Sequence, residues 1–486
     1  MNADPQPINA QDSPALVADP AAVPGDSLGV VADALARADE TLTLASRHLD
    51  SSLVDVLAIL GFDERYVSAQ GSYLYDAAGR AYLDLHTGEG FASLGHNNPD
   101  VRAVLQATLA ADLLDGVQIH FSPLAGMLAE ALSQRLPEGL DAVFFASAGA
   151  EAVDAAMKFA RAATGRPRLV SCESGFHGVT LGPLSLVGDE FFKEGFGPLL
   201  PGCELVPFGD LERLEAQLRA RDVAAFIVEP IQGRMVTLPP DGYLQGAQEL
   251  CRRYGTMFVV DEIQTGLGRT GRWFALEHWG LEPDMICVAK ALSGGFVPIG
   301  AVLVSRAAFE KVFDGMERAV RHGSTFGGND LAAAVALATL GVLEREGLVA
   351  RAERMGALLL ELTTPLIERF DVVADVRGLG LMWAIEFGPP ARASSRRLWE
   401  RVERRQPGLF SQLVTVPLFH EHKIFCQVAG HHMNVIKALP ALTIEESEIR
   451  RFAAALEQTI AAAERYPAAL ARFGLRTGMR AVRVGR

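Results

Sequence analysis

Met285-Ile-Cys-Val-Ala-Lys290-Ala-Leu-Ser-Gly-Gly295 sets a strand-like apolar run directly before a lysine, and follows that lysine with two glycines. A strand buried in a parallel sheet reads as a continuous hydrophobic run, and ligands collect just beyond the carboxyl ends of such strands. An ammonium at Lys290 then has little water around it. Desolvation and neighbouring cations lower a lysine pKa, which frees the amine to attack a carbonyl and form a Schiff base. The ordinary alternative is a surface lysine snorkelling at a strand end. The residues that accompany Lys290 decide against it.

Two other apolar runs end in the same way. Ala224-Ala-Phe-Ile-Val228 is followed by Glu229-Pro230, and Thr256-Met-Phe-Val-Val260 by Asp261-Glu262. Glu229 and Asp261 are 32 residues apart and Asp261 and Lys290 are 29 apart, each close to the length of one strand-helix-strand unit, about 30 residues. The three side chains are therefore expected side by side on adjacent or nearby strands. A carboxylate beside a Schiff-base lysine suits pyridoxal phosphate (PLP), because an acid next to the pyridine nitrogen keeps it protonated and able to accept electrons.

Phe226-Ile-Val-Glu-Pro-Ile-Gln-Gly233, Val260-Asp-Glu-Ile-Gln-Thr-Gly-Leu-Gly-Arg-Thr-Gly271 and Pro283-Asp-Met-Ile-Cys-Val-Ala-Lys290 resemble the three central signatures of class III, fold type I, PLP-dependent aminotransferases. The resemblance runs from about Gly61 to about Tyr466. It implies an α/β fold, with a large domain built on a mainly parallel seven-stranded sheet and a small α/β C-terminal domain. The expected division is a flexible tail over 1–26, a helix and hairpin segment over 27–85, the PLP-binding domain over 86–365 and the small domain over 366–486.

Composition agrees with a soluble globular enzyme. The 486 residues are 49% hydrophobic and 21% charged, with a formal net charge of −14, which argues against nucleic acid or an anionic membrane as the main partner. Cys172, Cys203, Cys251, Cys287 and Cys426 are scattered and odd in number, as expected for a reducing cytoplasm without a disulfide framework or a zinc site. No apolar run reaches the length of a membrane span. His420, His422, His431 and His432 lack a completing carboxylate pattern, so no metal is expected.

The local reading begins with a helix from Ser27, since Leu28, Val31, Leu35, Ala38 and Leu42 recur by three and four. Tyr73 to Asp84 reads as a hairpin turning at Asp76 to Gly79. His96, in the Gly-rich loop that follows, reads as a structural histidine. Val143-Phe-Phe-Ala-Ser-Ala-Gly-Ala-Glu-Ala152 enters a helix with apolar face Ala152, Val153, Ala156, Met157 and Ala160, ending at Gly165. Such a helix start offers free N–H groups to a phosphate. A long helix is expected within 332–360, the first strand of the small domain at 375–386, a solvated helical insertion over 389–409, and paired strands from Ile424 and Asn434.

The resemblance implies further roles, residue by residue. Ser147, Gly149 and Ala150 form the phosphate cup, although the usual Asn-Ser-Gly is here Ser-Ala-Gly. Phe176 is the platform under the pyridine ring, with His177 beside it, and Glu229 stands at the cofactor. Gln264 meets the phenolic oxygen. Thr325 reaches the phosphate of the neighbouring subunit, which implies a homodimer with shared active sites. Lys290 and Asp261 are the catalytic pair.

Departures from the family concern substrate. Relatives that use glutamate commonly place Arg, Glu and Arg where this chain has Val179, Arg234 and Lys437. The arginine fork for a distal carboxylate is therefore absent at 179, and so is the Glu-Arg switch. Arg234 and Lys437 could together rebuild a carboxylate site, or turn to solvent or nearby acids. Gly195-Phe-Gly-Pro-Leu-Leu-Pro-Gly and Leu205-Val-Pro-Phe-Gly209 are similar to the putrescine aminotransferase branch. The expected activity is ping-pong transfer of an amino group between a primary amine (a diamine, long-chain amine or ω-amino compound) and a carbonyl acceptor. An aminomutase, a decarboxylase or a non-catalytic PLP-binding protein of the same fold are the alternatives.

Overall fold

Val223–Val228 (Val-Ala-Ala-Phe-Ile-Val) is buried at all six positions, which requires cover on both faces of the sheet it joins. A computed structural model, describing residues 28–113 and 121–484 of the chain, supplies that cover. The tail expected over 1–26 lies outside the described residues.

The sheet has seven strands, in the spatial order Ala142–Ala146, Gly300–Val304, Met285–Val288, Met257–Asp261, Val223–Val228, Arg168–Cys172 and Cys203–Val206. Only Gly300–Val304 runs against its two neighbours; the other pairings are parallel. This is the mainly parallel α/β architecture expected from the sequence. On one face the Gly149–Thr164 helix lays Val153, Ala156, Met157 and Ala160 against Ala225, Ile227, Val259 and Cys287. Alternate residues of the same strands, Phe226, Val228, Phe258 and Val260, join the larger core on the opposite face. Each large apolar side chain so buried contributes about 1.5–3 kcal/mol.

Two four-stranded sheets flank this body. Tyr66–Gln70, Tyr73–Asp76 and Ala81–Asp84 form a meander that Ile424–Phe425 extends in parallel. The hairpin turn is held by Asp76, whose Oδ1 accepts from the backbone N–H of Ala78 and of Arg80, each at 2.9 Å. The other sheet is Val373–Leu379, Met382–Phe387, Val435–Ala438 and Gln427–Val428. His96 Nε2 lies 2.8 Å from the accepting Oδ2 of Asp84, and thereby ties its loop to the meander.

Two sequence expectations are corrected. The helix from Ser27 is interrupted: Val30–Ala36 and Thr41–His48 are separated by a 3-10 turn at Ala38–Glu40, where Thr41 Oγ1 donates to the Ala38 carbonyl at 2.7 Å. Such local side-chain bonds compete with helix continuation, and Leu28, Val31 and Leu42 remain exposed. The long helix expected within 332–360 is Asp330–Arg345, and a second, Leu348–Thr363, follows after Gly347 at φ 62°. The 375–386 region is a hairpin, not one strand, turning at Gly380. A β-carbon on Gly380 would lie 2.4 Å from the backbone carbon of Thr270, so this turn packs directly on the Gly268–Gly271 loop.

Candidate active site

The carboxyl ends of three adjacent parallel strands meet one cavity. Val228 is opposite Val260 and Asp261 is opposite Cys287 in the parallel registers, so Glu229, Asp261 and Lys290 follow one another across the sheet edge. A cavity of about 720 Å³ opens there, lined by Lys290, Asp261, Phe176, Glu229, Arg234 and Lys437 among others. Strand-end placement, inferred from the apolar runs, thus brings the three groups together.

Lys290 begins a short 3-10 turn, Lys290–Ser293, at φ 37°. A positive φ on a long side chain is strained, and such strain concentrates where geometry serves function. Burial lowers the Lys290 pKa, while Glu89 and Asp261 oppose it and Lys437 assists. The amine is therefore nearer to its neutral, nucleophilic form than a surface lysine.

Asp261 is held on both oxygens. Its Oδ2 lies 2.7 Å from His177 Nδ1 and its Oδ1 accepts from the Ile263 N–H at 3.0 Å. Burial would depress the His177 pKa, but the Asp261 hydrogen bond and charge override it, and the imidazole is raised. Glu229 turns to backbone instead, accepting from the N–H of Phe176 and of Gly233, both at 2.9 Å. It fastens the two loops that carry Phe176 and Arg234. Its own pKa is raised, by burial first and by Asp261 second, against the pull of His177.

Ser147, Gly149 and Ala150 also line the cavity, where the Gly149–Thr164 helix begins. No side chain caps this helix start, so its first N–H groups remain for a ligand. Room is limited: a β-carbon at Gly149 would meet Ile263 Cδ1 at 2.9 Å. Glu151 accepts from the Ser147 N–H at 2.7 Å and orders the entry to the helix.

Thr325 is not in this cavity. It is exposed and lines a second one, of about 690 Å³, together with Phe121, Val320 and Ser324. Ser324 Oγ is 3.3 Å from Ser147 Oγ, which links the two regions. Val179 is also outside the Lys290 cavity, and 59% exposed.

Arg234 and Lys437 line the cavity and are both ion-paired. Arg234 Nη1 is 2.7 Å from Asp189 Oδ2, with its guanidinium over the Phe192 ring at 5.2 Å. Phe192 meets Phe176 edge-on at 5.3 Å. Lys437 Nζ is 2.8 Å from Glu89 Oε2 and 3.2 Å from the Gly233 carbonyl. Of the two fates open from sequence, the acidic partners are the one realised.

Glu89 and Gln427 escaped the sequence reading. A carboxylate between Gly88 and Gly90 in an otherwise Gly-rich loop was the available signal for Glu89; Gln427 offered none. Gln264 Nε2 also donates to Glu89 Oε2, at 3.2 Å. Glu89, Gln427 and Gln264 all line the cavity.

Ten buried side-chain polar atoms among the described residues lack a partner, and four belong to cavity-lining residues: His177 Nε2, Arg234 Nη2, Gln264 Oε1 and Gln427 Oε1. Buried polar groups are normally satisfied, so this clustering marks a site built for a polar ligand. An aromatic face at Phe176, a carboxylate at Asp261, an amine at Lys290 and an uncapped helix start fit a flat heteroaromatic ring that carries a carbonyl and a phosphate.

Comparison with known proteins agrees with that chemistry. The family model described as Aminotransferase class-III matches residues 62–460. Aminotransferase PigE of Serratia sp. (strain ATCC 39006) is 37% identical over 449 residues, or 86% of this chain and 53% of that protein. The chain thus spans about half the length of that curated relative. The ornithine aminotransferase of Toxoplasma gondii ME49 is 32% identical with a TM-score of 0.73, covering 82% of this chain and 91% of the other. An amine transaminase from an uncultivated Pseudomonas species, solved with PLP bound, is 30% identical with a TM-score of 0.72, over 82% and 94% of the two chains.

Proposed function

The chain belongs to the class-III aminotransferases, and from that membership we propose that it moves an amino group from a primary amine (a diamine, a long-chain amine or an ω-amino compound) to a carbonyl acceptor, by a ping-pong mechanism. The cofactor is PLP. When bound, it supplies a carbonyl for the donor nitrogen and an electron sink in its ring.

The chain's own groups divide the work. Lys290 holds the cofactor carbonyl between turnovers. With PLP bound, the freed amine would take up and return a proton at Nζ; its lowered pKa favours the form that accepts one. Asp261 would be the partner of the pyridine nitrogen, and His177 fixes its orientation through the 2.7 Å contact. Phe176 would hold the ring plane and Gln264 would meet the phenolic oxygen. Ser147, Gly149 and Ala150 offer hydrogen-bond donors to the phosphate, and Glu229 keeps the surrounding loops in register.

The observation that carries the donor class is the pairing of both candidate cations. Arg234 and Lys437 each have a carboxylate within 2.8 Å, and Val179 adds no charge. An acidic donor would therefore compete with Asp189 or Glu89 for a cation that already has a carboxylate beside it, whereas an aminoalkyl chain need not. First half-reaction rates with a diamine, a long-chain monoamine, alanine and glutamate test this. The amines without an acidic tail should be fastest, and glutamate as the best donor would refute the reading.

We also propose a homodimer in which Thr325 of each copy reaches the phosphate bound by the other. The support is exposure of Phe121, Val320 and Phe326 beside the Thr325 cavity, at 96%, 92% and 67%. In the same reading residues 86–365 form the cofactor domain and 366–486 the small domain. No helix among the described residues is long and apolar enough to cross a membrane, and all five cysteines are free, which favours a cytoplasmic location.

A further inference from the structure

Gly88, Glu89 and Gly90 take φ values of 60°, 62° and 89° in succession. A glutamate between two glycines in the left-handed region is strained, and the loop holds it with its carboxylate at the cavity wall. Four groups surround that carboxylate. Oε2 accepts from Lys437 Nζ at 2.8 Å and from Gln264 Nε2 at 3.2 Å. Oε1 accepts from Gln427 Nε2, and His86 Nε2 stands 3.7 Å away, beyond hydrogen-bond reach. Oε1 thus keeps an open acceptor site.

The pair is asymmetric toward the cavity. The Glu89 side chain is 37% exposed and that of Lys437 only 4%. Lys437 is therefore the backing of the carboxylate, and Glu89 is its accessible face. Gln427 donates its amide to Glu89, which leaves its Oε1 buried and without a donor. Burial would raise the Glu89 pKa, but His86, Lys437 and Gln427 together hold it well below the ordinary carboxylate range. The carboxylate stays charged at any working pH.

We infer that Glu89, with the free carbonyl oxygen of Gln427, is the subsite for the second ammonium group of a diamine donor, and that Lys437 positions it from behind. The chemistry is complementary: an ammonium carries three donors and no acceptor, and this corner presents Gln427 Oε1 without a donor beside a Glu89 oxygen with an acceptor site to spare. Glu89 and Lys290 line one cavity, and Glu89 is the largest opposing charge on Lys290. A donor held at Lys290 therefore has Glu89 within the same cavity. A monoamine of the same length leaves the Gln427 oxygen unmet, and an anionic tail meets a like charge.

The inference rests on the amine-donor reading above, and its test separates the two. For the PLP-loaded enzyme, kcat/KM is measured for α,ω-diamines and for the monoamines of equal chain length. Calorimetry with borohydride-reduced holoenzyme, which cannot turn over, gives binding of the same compounds independently of activity. Wild type should prefer the diamine by roughly 10- to 100-fold in both measurements, the worth of one hydrogen-bonded charge contact. Glu89→Gln should bring the ratio close to one. Gln427→Leu, which leaves the Glu89–Lys437 pair intact, should lower it by a smaller factor, and serves if the first variant does not fold. No preference in wild type, or an unchanged ratio in both variants, overturns the Glu89 assignment. Failure of every amine to react overturns the transaminase reading alone, because the calorimetric preference still decides on Glu89.

Discussion

Nδ1 of His177 lies 2.7 Å from Oδ2 of Asp261, with the two side chains 1% and 3% exposed. The contact joins the loop after the Arg168–Cys172 strand to the end of the Met257–Asp261 strand, and sets the orientation of the carboxylate in the cavity. Asp261→Asn preserves shape and removes charge. The variant should still bind PLP but abstract the donor proton about 10²–10³-fold more slowly, the usual loss on deleting one preorganised electrostatic partner. Single-turnover kinetics check it, and near-normal rates would take Asp261 out of the assigned role.

Glu262, the next residue, predicts a pH dependence of stability. It is buried, accepts from the Leu276 N–H at 2.7 Å and bonds Thr265 Oγ1. Burial pushes its carboxyl up to about 7 against these hydrogen bonds. The folded pKa is above the unfolded value of about 4.3, so the folded state holds an extra proton between the two. The associated stability is complete below the unfolded pKa and is lost as pH rises through about 7. Calorimetric Tm values measured from about pH 5 to 8 should fall less steeply in Glu262→Gln than in wild type. Equal slopes would mean that Glu262 does not titrate in this range.

Val320 and Phe326 are apolar and exposed, and the proposed dimer would cover them. Val320→Asp should shift sedimentation from dimer toward monomer and weaken PLP retention together, since a shared phosphate site fails with the interface. A wild-type monomer with full activity at assay concentration would contradict shared binding.

Much of this was legible from sequence, for identifiable reasons. Parallel strands buried on both faces cannot hide their apolar runs, so the residue just after each run is exposed to reading: Glu229, Asp261 and Lys290 follow. The helix at Gly149 was visible through its 3.6-residue period. Glu89 was not, because its partners Lys437 and Gln427 lie 348 and 338 residues away, and loop-to-strand meetings leave no periodic trace. The ion pairs of Arg234 and Lys437 were invisible for the same reason. Periodicity alone also overran a real break, at Ala38–Glu40, where a 3-10 turn divides the helix expected from Ser27.

The central claim is that Lys290 carries the cofactor and moves the proton. The direct measurement is borohydride reduction of the holoenzyme followed by peptide mass spectrometry, paired with a single turnover using a reactive amine and no acceptor. Wild type should carry PLP on Lys290 alone, and before reduction should convert it to pyridoxamine phosphate with release of one aldehyde or ketone. Lys290→Ala should retain no covalent PLP and show no conversion. Covalent PLP on another lysine in that variant, or amine consumption without pyridoxamine phosphate in wild type, would contradict the account.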